Sequence, residues 1–216
     1  MNDLVSPTLD LLRSRNYKQC DILAVKIAAG INDLIKSVRH DGGRQLTLSG
    51  VTEKKVFEKL QNFKSEIKSV CPNALVGFAT IPSLSFKDNN RHKRDNGELV
   101  ESLFTEAEIE EQQRKINADI CDINKRIKLE NSTRQQNHER GCLTVSLHSE
   151  IEKKSRRRNR GGKLREVTQY KFAKLYDGLH GKSDLKHKWY NSLLKAIAQE
   201  IKYTIRDRAS NIIVRV

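Results

Sequence analysis

An aspartate and a histidine three residues apart are the pair in this sequence best suited to acid–base chemistry. They belong to the stretch Tyr176-Asp177-Gly178-Leu179-His180, which precedes the last amphipathic segment of the chain. On one tight loop, the Asp177 carboxylate can accept a hydrogen bond from the His180 ring and fix its tautomer, which leaves the second ring nitrogen outward as a general base. The alternative is that Asp-Gly makes a turn and His180 is an exposed loop residue.

A second polar stretch follows a short apolar run near the start of the chain. Residues 20–29 are mostly apolar and end at Gly30, which is typical of a strand buried on both faces of a parallel sheet. The run leads directly into Gly30-Ile31-Asn32-Asp33. Alternatively, Asn32 and Asp33 cap a following helix. The apolar positions of such a helix would be Leu34, Ile35 and Val38.

The segments that follow predict a strand–helix–strand unit. Residues 52–70 place apolar side chains at helical spacing with lysines opposite, and Pro72 ends this amphipathic helix. Its apolar positions are Val56, Phe57, Leu60, Phe63, Ile67 and Val70. Residues 74–81 then form a second apolar run, closed by Pro82, that predicts another buried strand. Strand, helix and strand in this order favour a crossover connection and the α/β fold class.

The same periodicity predicts the remaining elements. The long helix among them carries a stripe of isoleucines that indicates packing against the sheet. Beside that stripe, asparagines repeat every seventh residue at Asn117, Asn124 and Asn131. The predicted elements are helices over about residues 7–16, 105–129 and 183–205, a strand over 142–147, a surface loop over 87–97, and a small strand or unpaired end at 212–216.

Three of these stretches together resemble the SGNH (GDSL-type) hydrolase family. Residues 20–34 are similar to the family's strand followed by Gly-x-Asn-Asp, and residues 72–84 are similar to its next strand. Asp177-Gly178-Leu179-His180 resembles the family's Asp-x-x-His block. The resemblance covers about residues 20–205 of one predicted domain, 1–216, with an insertion over about 86–140.

The resemblance implies a three-layer α/β/α sandwich with a mainly parallel sheet and a site beyond the carboxyl ends of its strands. It implies that Asn32, on a loop with Gly30 and Asp33, donates its side-chain amide to the oxyanion of an acyl-transfer intermediate. His180 would be the base that activates a serine, and Asp177 would orient it. The substrate would be an ester or acyl compound, and this chemistry requires no cofactor and no metal.

The family's Gly-Asp-Ser block is not found in this sequence. Only 29 residues precede Gly30, and none of them reads Gly-Asp-Ser after an apolar run. The first strands of the fold are therefore expected to be missing, which would leave an open apolar sheet edge beside residues 21–29. Three hypotheses stay open: a truncated form of an active hydrolase, a domain that has lost catalysis, or a site that recruits another serine such as Ser49 or Ser83.

A net charge of +14 favours anionic partners. The stretch 153–165 contains no acidic residue, and it is expected to be either a flexible solvated loop or a phosphate-binding patch. The alternative function is therefore a non-catalytic module that binds nucleic acid through this basic loop. The long insertion with its basic loops also resembles the SGNH-like domains carried by open reading frames of animal retroelements. The candidate phosphate contacts are Lys153, Lys154, Arg156, Arg157, Arg158 and Arg160.

The rest of the composition limits the class of protein. No run of 18 apolar residues occurs, so no membrane span is predicted. The N-terminus lacks the basic and then apolar pattern of a secretory signal. The cysteines are scattered without a Cys-x-x-Cys pair, which argues against a zinc site and fits reduced thiols in a cytoplasmic or nuclear, intracellular protein. They are Cys20, Cys71, Cys121 and Cys142.

Overall fold

The computed structural model describes residues 2–14, 23–133, 142–158 and 163–213, which form a mixed α/β structure. The helices are α1 (Asn2–Ser14), α2 (Ile31–Leu34), α3 (Glu53–Val70), α4 (Phe86–Asp95), α5 (Glu106–Thr133) and α6 (Ser183–Ile213). The strands are β1 (Leu23–Ile27), β2 (Ile35–His40), β3 (Gly43–Leu48), β4 (Ala74–Phe78), β5 (Glu152–Arg158) and β6 (Leu164–Tyr170).

Strands β1 and β4 form a parallel pair that is central to the fold. They pair in register along all five residues of each strand. The predicted α/β class and the parallel pairing of these two apolar runs are confirmed. The third predicted strand, residues 142–147, contributes one parallel bridge between Val145 and Ala79. Within the described ranges, no strand pairs with the second edge of β1.

Helix α3 supplies one wall of the main hydrophobic core. The Thr52 hydroxyl caps the helix by accepting a hydrogen bond from the N–H of Lys55 at 3.4 Å. Apolar residues of α1, β4 and α5 complete the core, so removal of this face from water holds the helix on the sheet. The whole predicted face is buried: Val56, Phe57, Leu60, Phe63, Ile67 and Val70.

Three buried asparagines join α5 to the last residue of β4 and to the extended chain that follows it, and we call them the asparagine ladder. Asn124 accepts a hydrogen bond from the N–H of Ile81 at 2.7 Å and donates one to the Ile81 carbonyl at 2.8 Å. Seven helical residues rise about 10.5 Å and three extended residues about 10 Å. Every seventh residue of α5 therefore lies beside every third residue of the extended chain. The other two pairs have the same form, Asn131 with Phe78 and Asn117 with Leu84.

Helix α6 packs on a second, smaller apolar cluster. Ala196 of this helix lies against Val145 and Leu147. The indole N–H of Trp189 donates a hydrogen bond to the carbonyl of Leu147 at 3.0 Å. These contacts attach the last helix to the segment that runs beside β4.

The helix predicted after Asn32 is wrong. Helix α2 has four residues and ends at Leu34, and the chain continues as the antiparallel hairpin β2–β3. Asp41 and Gly42 form its two-residue turn, and Asp-Gly between extended runs is a strong hairpin signal. A Cβ at Gly42 would lie 2.6 Å from the carbonyl oxygen of Glu101, so this turn needs glycine. Strand pairing therefore outweighs the helix-like spacing of the apolar residues.

The surface loop predicted over residues 87–97 is also wrong, because most of this stretch belongs to α4. The hydroxyl of Ser85 accepts a hydrogen bond from the N–H of Asp88 at 3.1 Å and caps the helix. The Asp88 carboxylate complements the positive end of the helix dipole. Phe86 and Asn89 are buried. The helix thus has a buried face, although its composition is mainly polar.

The two terminal helices agree with the predictions from periodicity. Helices α1 and α6 overlap the predicted ranges. In the tail, Ile212 and Ile213 end α6 rather than forming a strand, and residues 214–216 lie outside the described residues. Among the helices that the structure describes, none is long and apolar enough to cross a membrane.

Candidate functional site

The loop of residues 176–180 is closed by its own backbone. Leu175 and Gly181 form an antiparallel bridge at its base. The N–H of Tyr176 donates a hydrogen bond to the carbonyl of His180 at 2.7 Å. The loop is therefore compact, and its side chains project from a closed ring of backbone.

The start of α4 holds this loop in place. The N–H of Ser85 donates to the Gly178 carbonyl at 2.7 Å, and the side-chain amide of Asn89 donates to the Asp177 carbonyl at 3.0 Å. Gly178 has a φ of +78°, and a Cβ there would lie 2.2 Å from the carbonyl oxygen of Ser85. Only glycine fits this approach. Since Ser85 ends the extended chain after β4, the loop lies beyond the carboxyl end of that strand.

Asp177 and His180 contact each other directly. Oδ2 of Asp177 lies 2.8 Å from Nδ1 of His180. Oδ1 of the same carboxylate accepts the N–H of Leu179 at 3.0 Å and the N–H of His180 at 2.7 Å. The histidine side chain is 69% exposed, whereas the aspartate side chain is 16% exposed. A largely buried carboxylate thus orients an imidazole that is mostly exposed to solvent.

The environment of Asp177 keeps its carboxyl ionised. Burial raises the pKa of this group, but hydrogen bonds from the His180 N–H, the His180 ring and the Leu179 N–H lower it more, and the net shift is downward. Its pKa in the folded state is therefore below the unfolded value. The carboxylate stabilises the loop above the unfolded pKa, and this contribution is lost as the pH falls through the folded pKa.

We expect the amide resonances of Leu179 and His180 to report this titration. Their chemical shifts, followed by NMR during acidification, should change with a midpoint below the ordinary aspartate pKa of about 3.9. Asp177→Asn should abolish this transition, because an amide does not titrate. A midpoint at or above the ordinary value in the unsubstituted protein would contradict the hydrogen-bonded geometry.

A polar cavity of about 260 Å³ opens beside the loop. Tyr176 of the loop, Arg91 and His92 of α4, and Lys182 are among the residues that line it. The rings of His92 and Tyr176 meet edge to face, with centroids 4.7 Å apart. The polar composition of these α4 residues predicts a loop, although Ser85 before Asp88 is a recognisable N-cap signal. His180 is not among the lining residues.

The Gly30–Asp33 stretch lies at the end of β1, as predicted. Gly30 has a φ of 117°, a left-handed conformation that redirects the chain into α2. Asn32 is exposed, whereas Asp33 is held by Lys59 at 2.6 Å. Among the hydrogen bonds and ion pairs of the described residues, none joins Asn32 to Asp177 or His180. Asp33 is thus tied to α3, and the two predicted halves of the site are not in direct polar contact.

Neither serine considered from sequence contacts His180. The hydroxyl of Ser83 is buried and donates to the Glu152 carboxylate. The hydroxyl of Ser49 donates to the carbonyl of Asp33 at 2.6 Å. Both hydroxyls therefore make structural hydrogen bonds to groups other than His180.

The expectation of a flexible loop over 153–165 is wrong for residues 153–158 and 164–165, which belong to strands, whereas residues 159–162 lie outside the described residues. Strands β5 and β6 pair antiparallel over seven residues each. Lys154 pairs across the strands with Glu166 at 2.8 Å, and β6 carries strand-favouring residues such as Val167 and Thr168. Arg160 lies outside the described residues. The other candidate phosphate contacts are exposed on β5: Lys153, Lys154, Arg156, Arg157 and Arg158.

No metal centre is formed in the part of the chain that the structure describes, where no three His, Cys, Asp or Glu side chains gather closely enough to hold an ion. The candidate site therefore consists of the Asp177–His180 pair and, separately, the basic hairpin. Comparison with protein-family models, with curated proteins and with solved structures gives no match.

Proposed function

We propose that this chain is an SGNH-type hydrolase-like domain in which Asp177 and His180 are the base of an ester or acyl hydrolysis site. The observation that carries the proposal is the 2.8 Å contact between Oδ2 of Asp177 and Nδ1 of His180. A ring held at Nδ1 by a carboxylate presents Nε2 as a proton acceptor. The position of the loop beyond the carboxyl end of β4 supports the same proposal, because ligands of open α/β sheets bind at that edge. The three-layer sandwich is part of this proposal.

In the proposed reaction, Nε2 of His180 takes the proton of an attacking O–H group as its oxygen bonds to the substrate carbonyl carbon. The same proton passes to the leaving oxygen when the acyl C–O bond breaks. Asp177 stabilises the imidazolium between these two steps, and its lowered pKa keeps it ionised. Asn32, exposed beyond β1, is the proposed donor to the developing oxyanion.

The attacking group is either a serine hydroxyl or a water molecule. Ser49 and Ser83 donate their hydrogen bonds to other groups, so neither is poised for this role. A serine nucleophile would therefore be a serine other than these two. Water requires no further residue, because an exposed imidazole that is oriented by a carboxylate can activate it directly.

Ester hydrolysis and fluorophosphonate labelling, measured on the same purified chain, test the proposal. We expect His180→Ala to lower hydrolysis of a p-nitrophenyl ester by about 10²- to 10⁴-fold. His187→Ala is the matched control, since His187 is also exposed but lies against the Ser183 carbonyl instead of a carboxylate. A labelled serine that disappears in His180→Ala identifies a serine nucleophile, whereas turnover without a label identifies water.

Two outcomes contradict the proposal. Equal loss of activity in the two histidine variants would mean that surface imidazoles hydrolyse the ester without a site. Folded protein that shows neither label nor turnover would mean that the Asp177–His180 pair is not part of a working hydrolase in this chain.

A further inference from the structure

The two faces of the β5–β6 hairpin differ in charge. Side chains alternate between faces along a strand, so the register assigns each residue to one side. The set that we call the cationic face comprises, among the residues with described side chains, Lys153, Ser155, Arg157, Val167 and Gln169. The set that we call the paired face comprises Glu152, Lys154, Arg156, Arg158, Leu164, Glu166, Thr168 and Tyr170.

The paired face is partly neutralised by its own carboxylates, and one end of it contacts the rest of the protein. Its three cations stand against two carboxylates, and Lys154 lies 2.8 Å from Glu166. The Glu152 carboxylate accepts a hydrogen bond from the buried hydroxyl of Ser83. Tyr170 stacks on Phe172 with ring centroids 5.1 Å apart, and burial raises the pKa of Tyr170. This side of the hairpin therefore contacts the body of the molecule at its Glu152–Tyr170 end, while its other residues are exposed.

Among the described side chains, the cationic face carries two cations, Lys153 and Arg157, and no carboxylate. Both cations are exposed, and no ion pair of the described residues neutralises either of them. An anion bound across this face would supply the missing counter-charge. The arrangement thus favours an anionic ligand on this one side of the hairpin.

We propose that the cationic face binds double-stranded DNA, with the β5–β6 hairpin lying in the major groove. A two-stranded ribbon fits this groove, which is about 12 Å wide. Lys153 and Arg157 are separated by about 13 Å along β5, because a strand rises about 3.3 Å per residue, so they can reach separate phosphates. Arginine and glutamine, here Arg157 and Gln169, are also side chains that hydrogen-bond to base edges.

The same face disfavours two other polyanions. The major groove of duplex RNA is too deep and narrow for side chains to read. Binding to a lipid surface is strengthened by apolar side chains next to the cations, and the cationic face offers only Val167. This proposal concerns a surface separate from the Asp177–His180 pair. Its test does not depend on whether the chain hydrolyses esters.

Two double variants test whether DNA binding depends on the cationic face or only on the total charge of the hairpin. Lys153→Gln/Arg157→Gln removes two positive charges from the cationic face, and Lys154→Gln/Arg156→Gln removes two from the paired face of the same strand. Affinity of the full chain for a fluorescent DNA duplex of two helical turns is measured by anisotropy over a range of salt concentrations. We expect the first variant to bind about tenfold more weakly at low salt, with a salt slope lower by about 2. The second should stay close to the unsubstituted protein.

Variants that add a positive charge test the proposal even if the double variants above do not fold correctly. Gln169→Lys adds a cation to the cationic face, and Thr168→Lys adds one to the paired face. We expect only Gln169→Lys to strengthen DNA binding, with a salt slope higher by about 1.

The outcomes separate the alternatives. Equal weakening by the two double variants would show a general charge effect and overturn the proposal, as would weakening by neither. Tighter binding to duplex RNA, or to vesicles that contain anionic lipid, with the same dependence on Lys153 and Arg157, would assign the cationic face to that ligand and overturn the assignment to DNA.

Discussion

Asn124→Leu is expected to lower the free energy of unfolding by about 2 to 6 kcal/mol, or about 1 to 3 kcal/mol for each backbone group that loses its partner. Asn124 is the middle member of the asparagine ladder, and both its amide atoms bind the backbone of Ile81. Leucine has a similar branched shape but neither donates nor accepts, so the N–H and carbonyl of a buried residue are left unpaired. Urea denaturation measures the change. Lys115→Leu on the exposed side of α5 is the control, and its effect should stay within about 0.5 kcal/mol.

Asn124→Asp separates lost hydrogen bonding from altered packing. The carboxylate oxygen that replaces the amide nitrogen would face the Ile81 carbonyl, so burial and repulsion raise the pKa of the new aspartate in the folded state. A protonated carboxyl restores the donor. The stability of this variant should therefore be highest below the unfolded pKa and be lost as the pH rises through the folded pKa. A deficit that does not change with pH would show that the amide pairing is not the source of the stability.

Lys26→Met is expected to cost about 3 to 5 kcal/mol of stability, because it leaves a buried carboxylate without its counter-charge. The side chains of Lys26 and Glu200 pair with exposures of only 1% and 5%. Glu200 also accepts the N–H of Leu143 at 2.6 Å, while Lys26 donates to the Leu143 carbonyl at 2.7 Å. The second carboxylate oxygen of Glu200 is buried and has no hydrogen-bond partner among the described residues, so the lysine is the main compensation for this charge there.

The double variant Lys26→Met/Glu200→Gln should recover most of that loss. Glutamine keeps the acceptor for the N–H of Leu143 and removes the buried charge, and replacement of a buried ion pair by neutral groups is often close to neutral in stability. Chemical denaturation of the two single variants and the double variant gives the coupling energy. Additive effects of the two substitutions would mean that the pair is not coupled, contrary to the contact in the structure.

Helices with a strong local pattern could be predicted from sequence. Helix α3 has both a regular apolar face and a capping residue, Thr52, and each signal lies within the helix or next to it. The isoleucine stripe of α5 is likewise buried as expected. For the asparagines of α5, the seven-residue repeat is visible in the sequence. Their partners in the extended chain at 78–84 are not, because the repeat does not tell which backbone lies alongside.

The errors have separate physical causes. Residues 35–48 form a hairpin because Asp41-Gly42 turns the chain and pairs two short strands, which a search for helical spacing overlooks. In α4, a buried face exists within a segment of mainly polar composition, so average polarity predicts a loop. The basic stretch forms strands because cross-strand pairs such as Lys154 with Glu166 are made only once β6 lies beside β5.

The contact between Asp177 and His180 is determined by the sequence itself, since residues three apart on a tight glycine-containing loop need no distant segment to meet. Tertiary structure decided where that pair lies, because Ser85 and Asn89 anchor the loop on α4. It also decided which charges are buried, as with Lys26 and Glu200. These features depend on segments far apart in the chain, and local patterns of polarity carry no information about how such segments are paired.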